Sequence, residues 1–413
     1  MSNRVIVVGG GASGMMAAIV AARNGADVTL LERNDRVGKK LLTTGNGRCN
    51  YTNTTLNFDR LMENYHGENP EFVYNALYNF DLYQTIDFFE MLGITPYVED
   101  NKVFPYSLQA SSVLDVLRYE IENLGIKLKT EAYVVNITKK KNFKVKLKDD
   151  RTIEADRVIL ATGGMAMPAS GSDGNGYRLA KSFGHNLIDV FPGLVQLKLK
   201  GNIFKSIKGV KFPGLASLYS HNKLIMEDKG DILFTDYGIS GPPILQLSRT
   251  AMDYIRRNED IKLRVSIFPK MDKEDMANYL ARRFEFMPNK STKDALIGLI
   301  NKRLIIPILK EISLDKDKIV CKLSKEEVSL LAGILTAWDF EIIGSQGWGQ
   351  AQVTAGGIDT REVDDKTMES KLVKGLYIIG ELLDIDGDCG GFNLQWAWSS
   401  GYLAGYNAAA EVN

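Results

Sequence analysis

The glycine pattern near the N-terminus constrains this chain more than any other feature. In "RVIVVGGGASGMMAAIVAARNGADVTLLE", residues 4–32, Gly9, Gly11 and Gly14 stand in G-x-G-x-x-G spacing between an apolar β-branched run and a run of helical periodicity. The Val/Ile-rich opening suits a parallel strand buried on both faces. In such a unit the first glycine permits the tight turn, the second lets a pyrophosphate approach the backbone, and the third lets helix and strand pack closely. The helix that follows, with Ala12 and Ser13 in its first turn, points free N–H groups and the positive end of its dipole at the phosphates. The second strand ends on Glu32, the acid expected to hold the adenosine ribose and to repel a 2′-phosphate. The reading is a dinucleotide site for FAD or NAD, which the fingerprint alone does not distinguish.

Two later segments return the chain to the same sheet. "RVILATGG" (157–164) is a buried strand ending in Ala161-Thr162-Gly163, and "GLYIIGELLDIDG" (375–387) is another ending in Gly380-Glu381. Such returns are typical of FAD-binding proteins of the two-dinucleotide type, in which an acid after the last strand reaches the ribityl chain; here that acid is Glu381. Val134, in "AYVVNI", has the strand-edge position from which a backbone group could bond adenine, with an ordinary strand residue as the alternative. "GSDGNG" (171–176) has the wrong spacing for a second dinucleotide fingerprint, so any nicotinamide nucleotide is expected to bind transiently.

From these residues the chain resembles the BaiN-like bacterial flavoproteins, also labelled NAD(P)/FAD-dependent or aminoacetone-oxidase-family enzymes. The resemblance runs nearly end to end and is carried by "GKKLLTTGNGRCNYTN" (38–53), "GSDGNGYRLAKSFGH" (171–185), "LFTDYGISGPPIL" (233–245), "VTAGGI" (353–358) and "GELLDIDGDCGGFNLQWAWSSGYLAG" (380–405). Asp236 stands where similar proteins often carry His. The fold the resemblance implies is α/β: a discontinuous Rossmann-like FAD-binding domain (1–191 and 353–413), an inserted β-rich, barrel-like substrate domain (192–270 and 338–352), and a further inserted helical domain (271–337). The bare sequence agrees in outline, with short strands after residue 192 and apolar residues at three- and four-residue spacing in "KEDMANYLARRFEF" and "SKEEVSLLAGIL".

Further cofactor contacts are expected from Arg33, Lys40, Leu41 and Thr44, and from "TTGNGRCN", where Gly45 and Gly47 let main-chain N–H groups approach a flavin and Arg48, Cys49 and Asn50 flank it. A helix after Gly390-Gly391, with Asn393 near its cap and Leu394 following, would turn its positive end toward the flavin N1 and O2, favouring hydride acceptance. Trp396 and Trp398 in that helix read as core. Arg48 and Tyr106 are the nominated catalytic residues, for polarising a carbonyl or supplying a proton. "GISGPP" reads as a helix start capped by Ser240, with Pro242 or Pro243 in the first turn.

What remains is exclusion. Lys plus Arg and Asp plus Glu both number 51, so nucleic acid is not the expected partner. Cys49, Cys321 and Cys389 include no C-x-x-C pair, and His66, His185 and His221 lie far apart, so neither a dithiol relay nor a metal site is expected. His185 reads as a helix-terminal residue. The opening shows no basic segment followed by an apolar run, and "ALIGLINKRLIIPILKEI" (295–312) is broken by charges and Pro307, so a cytoplasmic protein without membrane insertion is expected. The expected activity is FAD-dependent hydride transfer: an NAD(P)H-driven reductase of a conjugated double bond in a steroid-like carbonyl compound, as the resemblance implies, with an amine oxidase using oxygen or a non-catalytic flavin module as alternatives. The small-molecule substrate and the oligomeric state stay open.

Overall fold

The structure, a computed structural model, describes residues 3–410, so the outermost residues of the expected FAD domain, 1–2 and 411–413, lie outside it. The chain forms two compact units, one of Met1–Pro192 with Ala351–Asn413 and one of Gly193–Gln350.

The first unit is built on a five-stranded parallel sheet. Its strands are β1 (Arg4–Val8), β2 (Asp27–Leu31), β3 (Lys127–Lys129), β4 (Arg157–Leu160) and β5 (Leu376–Ile378), in the order β5-β4-β1-β2-β3. Val7 lies beside Ile159 on one side and Leu30 on the other, and all three are fully buried. Continuous Val/Ile/Leu runs form these strands because both faces are covered. Helix α1 (Ala12–Arg23) packs on the sheet and against α2 (Phe392–Ala409). That approach is close: a Cβ on Gly401 would lie 2.5 Å from the Ser13 carbonyl oxygen, and one on Gly405 the same distance from that of Ala17.

Strand order reverses at β1, whose neighbours β2 and β4 are reached by chain running in opposite directions. The carboxyl ends of β1 and β4 therefore flank the switch point where ligands bind in open α/β sheets. Around it sit a three-stranded sheet of Thr52–Asn53, Lys102–Pro105 and Pro96–Glu99, and a two-stranded ribbon of Tyr65–His66 with Asp386–Gly387.

In the second unit, six antiparallel strands close a barrel in the order Leu197–Leu199, Gly238–Ser240, Lys223–Phe234, Lys211–Ser220, Lys262–Ser266 and Trp338–Ser345. His221 and Asn222, both at positive φ, form the two-residue turn of its long hairpin. Helices Lys273–Glu285, Lys302–Glu311 and Lys325–Thr336 share one core with the barrel: Met276, Leu280, Ile308 and Leu331 belong to the same buried cluster as Leu263 and Phe340. The helix start at "GISGPP" differs from the sequence reading. Pro242–Arg256 is capped by Gly241 at φ 113°, where a Cβ would lie 2.1 Å from the Asp231 carbonyl oxygen, while Ser240 belongs to the preceding strand and does not cap. Asp236, in the loop before that strand, is paired with Lys208 at 2.7 Å, which holds its carboxyl below the usual range.

Candidate active site

The switch point is shaped by what its glycines touch. Gly9, at φ 109°, lies against Ala161, whose carbonyl oxygen would be 2.4 Å from any Cβ there, and Gly14 lies against the Gly9 carbonyl at 1.9 Å by the same measure. These two glycines serve the close packing of β1, α1 and the end of β4. Gly11 is different: it caps α1 with no side-chain hydrogen bond, and a Cβ on it would meet nothing within 4 Å. An uncapped helix N-terminus facing open space is the cradle a pyrophosphate needs.

At the end of β2 the buried Glu32 carboxylate accepts from the Gly10 N–H at 2.9 Å and from the Asn34 N–H and side-chain amide at 2.7 and 2.8 Å. These bonds fix its direction and leave acceptor capacity for a ribose hydroxyl. Arg33 beside it pairs with Asp173 and lies over the Tyr133 ring at 4.7 Å. A cavity of about 550 Å³ opens here, lined by Arg33, Glu131, Tyr133, Lys148 and Asp149. The neighbouring Val134 is buried, in register with Leu147, and its carbonyl accepts from the Asn175 amide at 2.9 Å.

Residues far apart in sequence meet after β5. Lys40 reaches Glu381 at 2.5 Å, while the second Glu381 oxygen accepts from the Thr354 N–H at 3.0 Å. Gly380, at φ 65°, is held by Ser400 through its N–H at 3.1 Å and by the Trp396 indole through its carbonyl, also at 3.1 Å. Gly163, which follows Thr162 after β4, also lies at positive φ.

The segment 41–49 turns tightly: Gly45 and Asn46 are left-handed, Gly47 faces open space, and Cys49 is left-handed too. Leu41 is buried and its carbonyl accepts from the Thr44 hydroxyl. Backbone N–H groups of such a turn converge on an electron-rich partner. Asn50 packs on Gly45, within 3.1 Å of a Cβ placed there. Cys49 is fully buried and burial pushes its thiol up to about 12, so it is a poor nucleophile. Arg48 pairs with Glu99 at 2.7 Å and lies over the Phe104 ring at 4.4 Å. Tyr106 is exposed, its ring edge-on to Tyr97.

The turn Gly390-Gly391 starts α2. Gly391 is its cap at φ 109°, pressed against the Thr52 carbonyl, and the Gly390 carbonyl accepts from the Asn53 amide at 2.8 Å. Asn393 does not cap the helix; its amide bonds both backbone groups of Gly387, at 2.8 and 2.6 Å, tying Asp386–Gly387 to the helix start. Leu394 is partly buried against the core. Trp396 and Trp398 are buried, the latter donating to the Tyr51 carbonyl.

Sequence reasoning assigned no role to two residues that the fold brings here. His66 bonds Asp388 at 2.8 Å beside the Gly390 turn, and Lys102 lies across Gly390 itself. His185, by contrast, is buried away from these groups between Ser370 and Glu362. Only strand pairing across long sequence separations places His66 and Lys102, so no local signal announces them.

A bare helix N-terminus, a directed buried acid, a glycine turn and a second helix start along one crevice fit a dinucleotide carrying a ring system. The family model described as the HI0933-like protein Rossmann domain matches residues 3–407. The chain belongs to the HI0933-like family. A whole-length relative, the 3-dehydro-bile acid delta(4,6)-reductase of Clostridium scindens, is 39% identical over 412 residues, 99% of each chain. The ribosomal RNA dihydrouridine synthase of Escherichia coli is 31% identical over 409 residues, 98% of each. Among solved structures, the 3-ketosteroid-delta4-(5alpha)-dehydrogenase of Rhodococcus jostii in complex with 4-androstene-3,17-dione shares the fold, with a TM-score of 0.53 at 15% identity over 99% of this chain and 97% of that one.

This HI0933-like protein is an FAD-dependent oxidoreductase. FAD would supply the hydride-accepting and hydride-donating ring, and the crevice offers the groups to hold it. The residues that would hold it are the α1 N-terminus at Gly11, the Glu32 carboxylate, the Lys40–Glu381 pair and the turns at 45–47 and 390–391. Among the described residues there is no cluster of ligands for a metal ion and no helix long and apolar enough to cross a membrane.

Proposed function

We propose that this protein reduces a carbon–carbon double bond conjugated to a carbonyl, taking hydride from a nicotinamide nucleotide through the flavin, and that its substrate is an apolar, steroid-like enone. One observation carries the reading: a relative named for such a reduction matches 99% of the chain at 39% identity. A conjugated carbonyl suits the site because hydride arriving at the β carbon places negative charge on the carbonyl oxygen, which needs only a cation or hydrogen-bond donor and one proton. The nicotinamide leaves after reducing the flavin, since the sequence holds one dinucleotide fingerprint. The cytoplasm, where reduced nicotinamides are plentiful, is the compartment this reading favours.

Anaerobic titration with NADH or NADPH, followed by reoxidation with an enone steroid acid or with air, tests it. Rapid reoxidation by the enone supports the reading. Reduction by a small amine with turnover only in air would replace it with an oxidase.

A second substrate has its own support. The uracil C5=C6 bond is also conjugated to a carbonyl, and relatives from Escherichia coli and Haemophilus influenzae are named for forming dihydrouridine in ribosomal RNA. The chain is neutral overall, but residues 193–350 hold 25 Lys and Arg against 19 Asp and Glu, leaving the rest with 26 against 32. No acid occurs between 193 and 226, where six lysines fall. Such a basic unit suits a phosphate backbone. Mass analysis of ribosomal RNA from cells lacking the gene decides it: a uridine that loses its two added hydrogens selects RNA, and unchanged RNA leaves the enone.

A further inference from the structure

The three-stranded sheet beside the crevice sets Asn53, Lys102 and Glu99 in one row, since Lys102 pairs in register with Asn53 on one side and Glu99 on the other. Residues directly opposite one another in antiparallel strands share a face. Glu99 would be the natural partner of Lys102, but Arg48 occupies it at 2.7 Å. Asn53 donates its amide to the Gly390 carbonyl. The Lys102 side chain therefore runs on over the glycine turn: a Cβ placed on Gly390 would lie 3.6 Å from Lys102 Cε and 4.0 Å from Cγ. Among the described residues no hydrogen bond or ion pair engages the Lys102 ammonium, although the side chain is partly buried.

We propose that Lys102 is the electrostatic residue of this site: its ammonium, at the end of a side chain that lies against Gly390 in the turn that opens α2, supplies the full positive charge that balances the negative charge arriving on the flavin. The inference rests on the flavin lying in the crevice and is independent of which substrate is reduced. When a reduced nicotinamide gives up a hydride it is oxidised, and the ring gains two electrons and one proton, hence one net negative charge. A helix N-terminus offers about half a charge; an unpaired lysine beside it adds a whole one that does not move during the step. The Arg48–Glu99 pair is what keeps that charge unpaired.

Sulfite addition tests this without any substrate. Sulfite gives its sulfur lone pair to the flavin N5, forming one N–S bond and leaving one negative charge in the ring, with no other electron donor or acceptor involved. The FAD-loaded full chain, K102M and K102R are titrated with sulfite and bleaching of the visible flavin band is read. K102M is expected to weaken sulfite binding by about tenfold or more, with K102R recovering most of it and E99Q binding at least as tightly as the parent. Equal sulfite affinity in the parent and K102M, both with full FAD content, overturns the proposal. If K102M fails to hold FAD, K102Q serves instead: it keeps a polar side chain over the turn without the charge, so weaker sulfite binding supports the proposal and unchanged binding overturns it. Failure to reduce an enone or a uridine would sink the proposed function and leave this result standing.

Discussion

The Lys40 ammonium and the Glu381 carboxylate meet at 2.5 Å across 341 positions of sequence. The contact joins the segment that follows the first βαβ unit to the residue that follows the last strand of the sheet. Glu381 is also fixed by the Thr354 N–H, so the pair is a clasp with one rigid half. E381A leaves Lys40 without its partner and K40M leaves Glu381 without its own. Each is expected to weaken FAD binding by about tenfold, and the double variant by much less than the product of the two, as expected for groups in direct contact. Fluorescence titration of the apoprotein with FAD measures all three. Strictly multiplicative losses would show that the pair does not act as a unit.

Gly11 and Gly14 separate folding from cofactor capture. A methyl group at Gly14 has to displace the Gly9 backbone, so G14A is expected to lose on the order of 3 kcal/mol of stability or to fail to fold. A methyl group at Gly11 meets nothing in the protein, and the residue has ordinary helix-cap dihedrals. G11A apoprotein is therefore expected to melt close to the parent while binding FAD at least about a hundredfold more weakly, because the methyl occupies the space of the pyrophosphate. Thermal melts with and without FAD distinguish the two. A G11A variant that binds FAD normally would place the phosphates elsewhere.

His185 makes stability depend on pH. Burial lowers its pKa below the ordinary 6.5, with Glu362 opposing but not cancelling the shift. The unfolded chain then takes up this proton at higher pH than the folded one. The sign follows: the histidine's contribution is present above 6.5 and is lost as pH falls through that value toward the folded pKa. Urea midpoints measured from pH 8 down to 5 are expected to decline, and H185Q is expected to flatten that decline while lowering stability at pH 8, where the bond to Ser370 is lost. A parent and H185Q that decline in parallel would remove His185 as the cause.

Cys49 is expected to be chemically silent. Its burial and raised pKa predict that iodoacetamide at pH 8 labels the exposed Cys321 in the native protein and leaves Cys49 unmodified until the chain unfolds. C49A is expected to keep flavin reduction by nicotinamide within about twofold, since a group that stays protonated at pH 8 contributes no nucleophile. Peptide mapping after labelling reads the first and stopped-flow absorbance the second.

The parts of this molecule legible in its sequence are those set by local rules. The apolar runs of β1 and β2, the helical run of α1, and the glycine spacing between them follow from local rules within 30 residues. The returns of the chain at Ala161 and Gly380 could be read because each is a β-branched run stopped by glycine. The electrostatics of the site could not. Arg48 reads as a free donor in "GNGRCN", yet a strand beginning nearly fifty residues later carries Glu99 to it. Lys102 stands in "NKVFPYS" four residues before the nominated Tyr106, and its place over Gly390 depends on pairings with Thr52–Asn53 and Pro96–Glu99. Val134 reads as a strand edge whose backbone could bond adenine, and nothing local announces that Asn175, from another element, donates to its carbonyl. Ser240 has the right chemistry for a cap, and the close approach of Asp231 gives the position to Gly241 instead.

The glycine seam between α1 and α2 has a consequence for how the protein is made. The helix α1 leaves the ribosome almost four hundred residues before Gly401 and Gly405, which seat it. A nascent chain therefore exposes its nucleotide fingerprint, until α2 emerges, without the support that holds it in shape. Stable flavin loading is expected to wait until α2 has been made, and a truncation that removes α2 is expected to cost the protein its colour.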